Sequence, residues 1–553
     1  MPAVDAQTPY IMDWSTQSYG PDGPWQAVTL NVGSNRQPMA LYPGANYAST
    51  ILADSICANA TLSSSCYAAR AGTYNASEST TSISSNHSSN STSPWNVFYW
   101  SVQGESRQGT ATDEVTLDDE TIIPNVSFTT IYDTYQTYPN GRSYPVSVGN
   151  LALGAPRLRD TSSGLTLNMI AAWLYTSKKT PSYAYSMHIG SVNPPIPGSL
   201  VLGGYDRHRI IGEPSSQSIV DSAGILQVVL RDIGLGVAEG DSPFPSFTDT
   251  PRGGLFLDDE HQNGGMVLPR LVTIDPTKPY MYLPKATCDS VTGFFPVSFD
   301  SGLGLYIWDV NSADYTNLTS SPVYVSFTFN KDGSAAQNMT VRVPLQLLTL
   351  TLQEPLVEDR NLTYFPCFPS TDTPVLGRAF LQAAFVGVNW AEGTNNGSWI
   401  LGQAPGPGLQ GGNGGGIAPI AVNDRTLRGI EEGSWAESWA QYWTPLELQG
   451  TNAGAGTSTD SGISVGTKVG IGIGAGLAGM ILVASGVWVV ILHHRKQQMD
   501  HETSRDVPDT LDIKENAQAL VEMPITDKQH WPVELAAKGT AQPSELMGRE
   551  PVA

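Results

Sequence analysis

From about residue 24 to residue 403 the apolar residues come in short alternating runs, broken by Gly, Pro, Asn and Ser. Stretches 25–32, 97–102, 114–117, 323–329 and 339–343 show the pattern. Side chains on a strand point alternately to its two faces, so a period of two builds sheets. Asn140-Gly141 is a hairpin dipeptide, suited to a turn that needs positive φ. Only 167–175 and 378–383 read as helix. The predicted class is all-β with many hairpins.

Beyond residue 403 the pattern changes. Residues 404–416 are Gly/Pro-rich and read as a linker. Trp435, Trp439 and Trp443 follow at a spacing of four, which on a helix makes one aromatic stripe, expected to pack back onto the β-rich body. Ser and Gly crowd 450–466 as a stem. The 24 residues 469–492 carry no charge, and about 36 Å of helix suffices to cross a bilayer core. His493-His494-Arg495-Lys496 come next, whereas Lys468 alone stands close before. The expectation is a type I protein of the plasma membrane or another secretory-pathway membrane, with the C-terminus in the cytosol. Gly472 and Gly476 are spaced for close packing of two such helices, which leaves two readings: self-association through the span, and a lone span with incidental small residues. The tail, 493–553, mixes charges and Pro with few aromatics and reads as disordered.

Nine Asn-X-Ser/Thr sequons begin at Asn59, Asn75, Asn86, Asn90, Asn125, Asn317, Asn338, Asn361 and Asn396. All precede the span, on the side its orientation makes extracellular or lumenal. The four cysteines fit the same oxidising route. Met1-Pro2-Ala3-Val4-Asp5 opens no basic or apolar leader, so no signal peptide is visible. Two readings remain: a start that is truncated or mis-assigned, and a chain that never enters the pathway. A net charge of −22 excludes nucleic acid as partner. The eight histidines show no ligand spacing, so no metal is expected, nor any cofactor.

Two turns suggest what the body is built to hold. Ala40-Leu41-Tyr42-Pro43-Gly44 and Thr273-Ile274-Asp275-Pro276-Thr277 each follow an apolar run. Gly198-Ser199-Leu200-Val201-Leu202-Gly203-Gly204-Tyr205-Asp206, Leu151-Ala152-Leu153-Gly154 and Pro374-Val375-Leu376-Gly377-Arg378-Ala379-Phe380-Leu381 stand around them in order. Across roughly 380 residues these segments resemble the landmarks of the pepsin-like aspartic proteases, in particular the single-span membrane-anchored members of filamentous fungi. The resemblance implies a bilobal acid-protease fold around a deep cleft. It divides the chain into an N-terminal segment (1–23), lobes at 24–215 and 216–403, a stem (404–468), the span and the tail. It also implies the disulfides Cys57–Cys66 and Cys288–Cys367.

In that family two aspartates share one proton, because like charges about 3 Å apart cannot both ionise. One carboxylate activates water while the other polarises the peptide carbonyl. Here Tyr42 replaces the first aspartate, and only Asp275 remains. A phenol cannot act as base at acidic pH. Gly44 is retained, whereas Thr277 stands where the second turn has glycine. Ser101 aligns with the flap tyrosine, and a slip of one or two residues would put Trp100 or Tyr99 there. Asp54 is a poor substitute acid, since its spacing takes it off the turn; Asp13 is the other carboxylate to check. The expectation is a catalytically impaired, membrane-anchored glycoprotein whose cleft binds a peptide, a glycan or a surface protein. The alternatives are an active endopeptidase with an atypical site and a structural cell-surface glycoprotein.

Overall fold

The computed structural model describes residues 7–447, apart from 48, 59–65, 85–92, 96–102, 142, 157–158, 161–166, 245, 247–250, 260–268, 359, 391–395, 410–415 and 431–432. Strand accounts for 42% and helix for 14%, so the chain is mainly β. Of the two stretches read as helical, 378–383 contains the helix Arg378–Leu381, whereas 167–175 begins as the strand Leu167–Asn168 and overlaps the helix Ile170–Thr176. Gly141 takes φ +80° in the turn that closes the hairpin from Ile122–Thr137 to Ser143–Pro145.

One hydrogen-bonded arrangement occurs twice. In the first half Gln37–Ala45 pairs in parallel with Gly149–Ala152, which pairs antiparallel with Ser49–Leu52. In the second half Arg270–Ile274 pairs in parallel with Val375–Leu376, which pairs antiparallel with Met281–Leu283. The flanks repeat as well. Val28–Val32 and Gln227–Val237 lie antiparallel to the first strand of each set. Ile122–Thr137 and Cys367–Pro369 lie parallel to the last. Tyr42 falls opposite Asn150 in one register, and Ile274, just before Asp275, falls opposite Leu376 in the other. The duplication therefore carries both turns to equivalent points.

A six-stranded antiparallel sheet ties the halves together, in the order Tyr10–Ile11, Ser199–Leu202, Ala184–His188, Ala384–Asn389, Ser398–Gln403, Ile211–Ser218. Its strands come from three distant parts of the sequence, and one continuous apolar core runs beneath both halves. Both disulfides are formed, Cys57–Cys66 and Cys288–Cys367, with Cα separations of 5.1 and 5.8 Å.

Two boundaries differ from expectation. Residues 7–23, set apart as a leading segment, belong to the body: Tyr10–Ile11 is a strand of the central sheet, and Asp22 is buried. The expected stem starts later than residue 404. Ile417–Pro419 pairs with Gly204–Asp206, and Trp435, Trp439 and Trp443 are buried. Trp439 and Trp443 stack at 5.7 Å, and Trp435 meets Tyr324 edge-on at 5.3 Å. Between Trp435 and Trp443 only Glu437–Trp439 is helical, as one short 3-10 turn. Glycine here serves contact rather than slack, because a β-carbon on Gly406 would come within 2.6 Å of the Trp439 ring.

No helix among the described residues is long and apolar enough to cross a membrane. The expected span, 469–492, and the tail lie outside the described residues.

Candidate functional site

The two turns meet. Gly44 has φ +126°, and a β-carbon there would run into the ring of Pro276. Only glycine combines that backbone angle with so close an approach. Tyr42 ends up buried, and its hydroxyl has no hydrogen-bond partner among the described residues.

Arg378 covers Tyr42. Its guanidinium carbon lies 4.0 Å from the centre of the Tyr42 ring and 5.0 Å from that of Trp25. Nη1 donates to the carbonyls of Pro276 (3.2 Å) and Thr277 (2.9 Å) in the second turn. One cation thus binds the second turn while lying on the aromatic residue of the first turn. Such a stack is worth about 2 kcal/mol when desolvated. Arg378 is 5% exposed, and its Nε–H has no partner among the described residues.

Asp275 is engaged locally. Its Oδ1 accepts from Thr277 N (2.9 Å) and Thr277 Oγ1 (2.6 Å). Thr277, at the position where glycine was expected, is therefore the residue that holds the Asp275 carboxylate. Asp275 acts electrostatically on Lys278, Tyr185 and Tyr282. The groups acting electrostatically on Tyr42 are Arg378, Asp22 and Tyr19. Burial holds the Tyr42 hydroxyl well above the ordinary phenol range, with Arg378 opposing and Asp22 reinforcing. A neutral phenol beside a guanidinium offers no base for activating water.

Asp22 is a carboxylate that no motif in the chain assigns to this site. It lies in a strap, residues 19–25, closed by backbone bonds from Tyr19 N to Trp25 O (2.8 Å) and Trp25 N to Tyr19 O (2.9 Å). The strap reaches the second half through Thr351 N to Gly23 O (3.0 Å) and Gln353 N to Pro21 O (2.8 Å). Tyr364 Oη donates to the Asp22 carbonyl at 2.5 Å, and Trp25 Nε1 donates to Asp22 Oδ1 at 3.0 Å. Burial raises the Asp22 carboxyl above its ordinary value, with Arg378 and the Trp25 bond opposing. Asp54 and Asp13 are both exposed, and neither is among the charges acting on Tyr42.

Tyrosines close the remaining sides. Tyr138 Oη and Tyr280 Oη lie 2.7 Å apart, and Tyr144 donates to Gln136 Oε1. Burial raises all three hydroxyls far above the phenol range, so they serve as neutral hydrogen-bonding groups. What is left between strap, turns and tyrosines is a cavity of ≈ 90 Å³. Gly20 and Pro21 of the strap separate it from a second cavity of equal size. Pockets for drug-sized ligands run to about 300–1,000 Å³, so neither space holds an extended peptide. Trp100 and Ser101, expected at the flap, lie outside the described residues, as do Asn59, Asn86 and Asn90.

The structure brings together Tyr42, Gly44 and Thr277 with two residues that had no assigned role, Asp22 and Arg378. A signal for Arg378 was present: a lone charge inside an apolar run, from Val375 to Val388, asks for a buried partner. Asp22 had none, because Pro21-Asp22-Gly23-Pro24 has the composition of an exposed turn. Compared with known proteins, the chain matches no family model, and no curated protein matches it.

Proposed function

We propose that this chain is a membrane-anchored glycoprotein with a bilobal, pepsin-like fold that has lost peptide hydrolysis and uses the site between its halves for binding. The duplicated strand arrangement and the two disulfides support the fold. The observation that carries the loss of hydrolysis is the Arg378 guanidinium seated 4.0 Å above the Tyr42 ring. The shared-proton mechanism needs a second carboxylate and a water there, and a stacked cation–phenol pair supplies neither. Thr277 adds to this by holding the surviving Asp275.

The test is an acid protease assay on the full chain in detergent, at about pH 4–6 where such dyads work, with Asp275→Asn as control. We expect no cleavage above background in either protein. Cleavage blocked by a pepstatin-type inhibitor and abolished by Asp275→Asn would overturn the reading in favour of an active endopeptidase.

A further inference from the structure

The six-stranded sheet that ties the halves together encloses an ionisable side chain outside the site. His188, at the end of the strand Ala184–His188, is 1% exposed. Its Nε2 lies 2.9 Å from the carbonyl of Gln382. A carbonyl only accepts, so Nε2 carries the proton and donates it. Nδ1 of the neutral ring is then a bare acceptor, and it is buried with no partner among the described residues. Gln382 caps the short helix Arg378–Leu381, and its N donates to Arg378 O at 3.1 Å. An imidazole of the first half thus holds the end of the helix that carries Arg378 in the second.

We propose that His188 is an acid-sensitive latch, whose protonation loosens the sheet between the halves. The imidazolium carries an N–H on both nitrogens. Nε2 keeps its carbonyl, whereas the new Nδ1–H enters the core with no acceptor and brings a charge with it. A buried cation is tolerated only when it is paired. The surrounding elements bring no free carboxylate. Ser199 lies opposite His188 on the neighbouring strand. The strand on the other side, Ala384–Asn389, has no ionisable residue, and the helix brings only the cation Arg378. In the turn Arg207–Arg209, Arg209 acts on His188 and repels its charged form. The carboxylate beside that turn, Asp206, is already engaged by His208 Nδ1 (3.1 Å) and Arg209 Nε (3.4 Å). Burial, reinforced by Arg209 and opposed by the Gln382 bond, pushes the imidazole down to about 3 from its ordinary 6.5. The folded state therefore binds this proton more weakly than the unfolded chain. The stability that neutral His188 contributes is complete above the unfolded value and is lost as pH falls toward the folded one. The latch operates whether or not the site hydrolyses peptide.

The test is urea unfolding of the full chain in detergent, in steps from about pH 7.5 to about pH 4.5, beside His188→Gln. Glutamine keeps an N–H for the Gln382 carbonyl and does not titrate. Comparing the two series cancels the carboxylates, Asp22 included. We expect the unfolding constant of the native chain to rise relative to the variant, approaching tenfold for each pH unit below about 6.5. Amide hydrogen exchange at about pH 5, corrected for the intrinsic rate, locates the effect. It should show faster opening of Ala184–His188 and Ala384–Asn389 than of Val28–Val32, and no such difference in His188→Gln. Parallel pH series for the two proteins, or acid-induced opening spread evenly over all strands, would overturn the proposal. Should His188→Gln fail to fold, an NMR titration of the histidine rings in the native chain decides. A His188 ring still neutral at about pH 5 supports the latch, and one that titrates near 6.5 overturns it.

Discussion

Tyr42, Arg378 and Asp22 form a buried set in which each group compensates for another. Arg378 lies against a ring and two carbonyls, and Asp22 supplies the nearby opposite charge. Restoring one carboxylate should therefore not restore chemistry. In Tyr42→Asp the new carboxylate would face Arg378 and stay ionised, so the shared proton is lost. We expect peptide release from a fluorogenic substrate to remain at background. Asp22 makes a separate prediction about pH. Its folded carboxyl titrates above the ordinary 3.8 because of burial. The folded state thus holds that proton more tightly than the unfolded chain, and the stability it contributes is complete below the unfolded value. That stability falls as pH rises through the folded value. Asp22→Asn should remove this slope from a series of urea-unfolding midpoints taken upward from about pH 4. An unchanged slope would show that the Asp22 carboxyl is not raised. At this scale the sequence pointed to Tyr42, because its turn and that of Asp275 each follow an apolar run. It hid Asp22, because the burial of a turn depends on its backbone partners Thr351 and Gln353, far away in sequence.

Among the elements, the segment from Ala404 to Glu447 shows how composition misleads. A Gly/Pro-rich stretch reads as slack chain, yet Gly406 and Gly408 are where the backbone approaches Trp439 and Ser438. Gly406 N donates to Ser438 Oγ at 2.8 Å, and behind that contact Trp443 stacks on Trp439 and meets Trp435 edge-on. The fourfold spacing identified the three indoles as one unit but assigned them to a helix. The structure instead brings the three rings together around a single 3-10 turn. Trp439→Ala should destabilise the body by about 3–5 kcal/mol, the usual cost of emptying a large core site, as measured by chemical unfolding. A loss below about 0.5 kcal/mol, typical of surface changes, would mean the segment is only loosely held. The strands themselves were the most legible part, since Val323–Lys331 and Ser334–Pro344 contain alternating runs visible without any structure. Their pairing across the six-stranded sheet was not, because register between Ala184–His188 and Ala384–Asn389 is set by contacts two hundred residues apart.

For the whole molecule, the duplicated halves and the shared sheet make one cooperative body, and its surface separates the sequons by accessibility. Asn125, Asn317, Asn338 and Asn361 are exposed. Asn396 donates to Val220 O at 3.0 Å, and Asn75 caps a 3-10 turn by accepting from Ser77 N. If the chain travels the secretory route, peptide mapping after enzymatic deglycosylation should find glycans on the four exposed sites and none on Asn396. Full occupancy at Asn396 with bare sites at Asn317 and Asn338 would contradict this accessibility order.

The course of the C-terminal segment also has a mechanical consequence. Its last described residues pair through Asp241 N to Leu446 O and Thr444 N to Ser320 O in the second half. Upstream, Ile417–Pro419 is zipped to Gly204–Asp206 of the first half. Tension applied to the chain beyond residue 447 is thus taken up first by a few backbone bonds and then by the stacked indoles. Only after these give way does the load reach the strand that joins the segment to the opposite half. The segment thus acts as a graded fuse ahead of the strand pair that joins it to the first half.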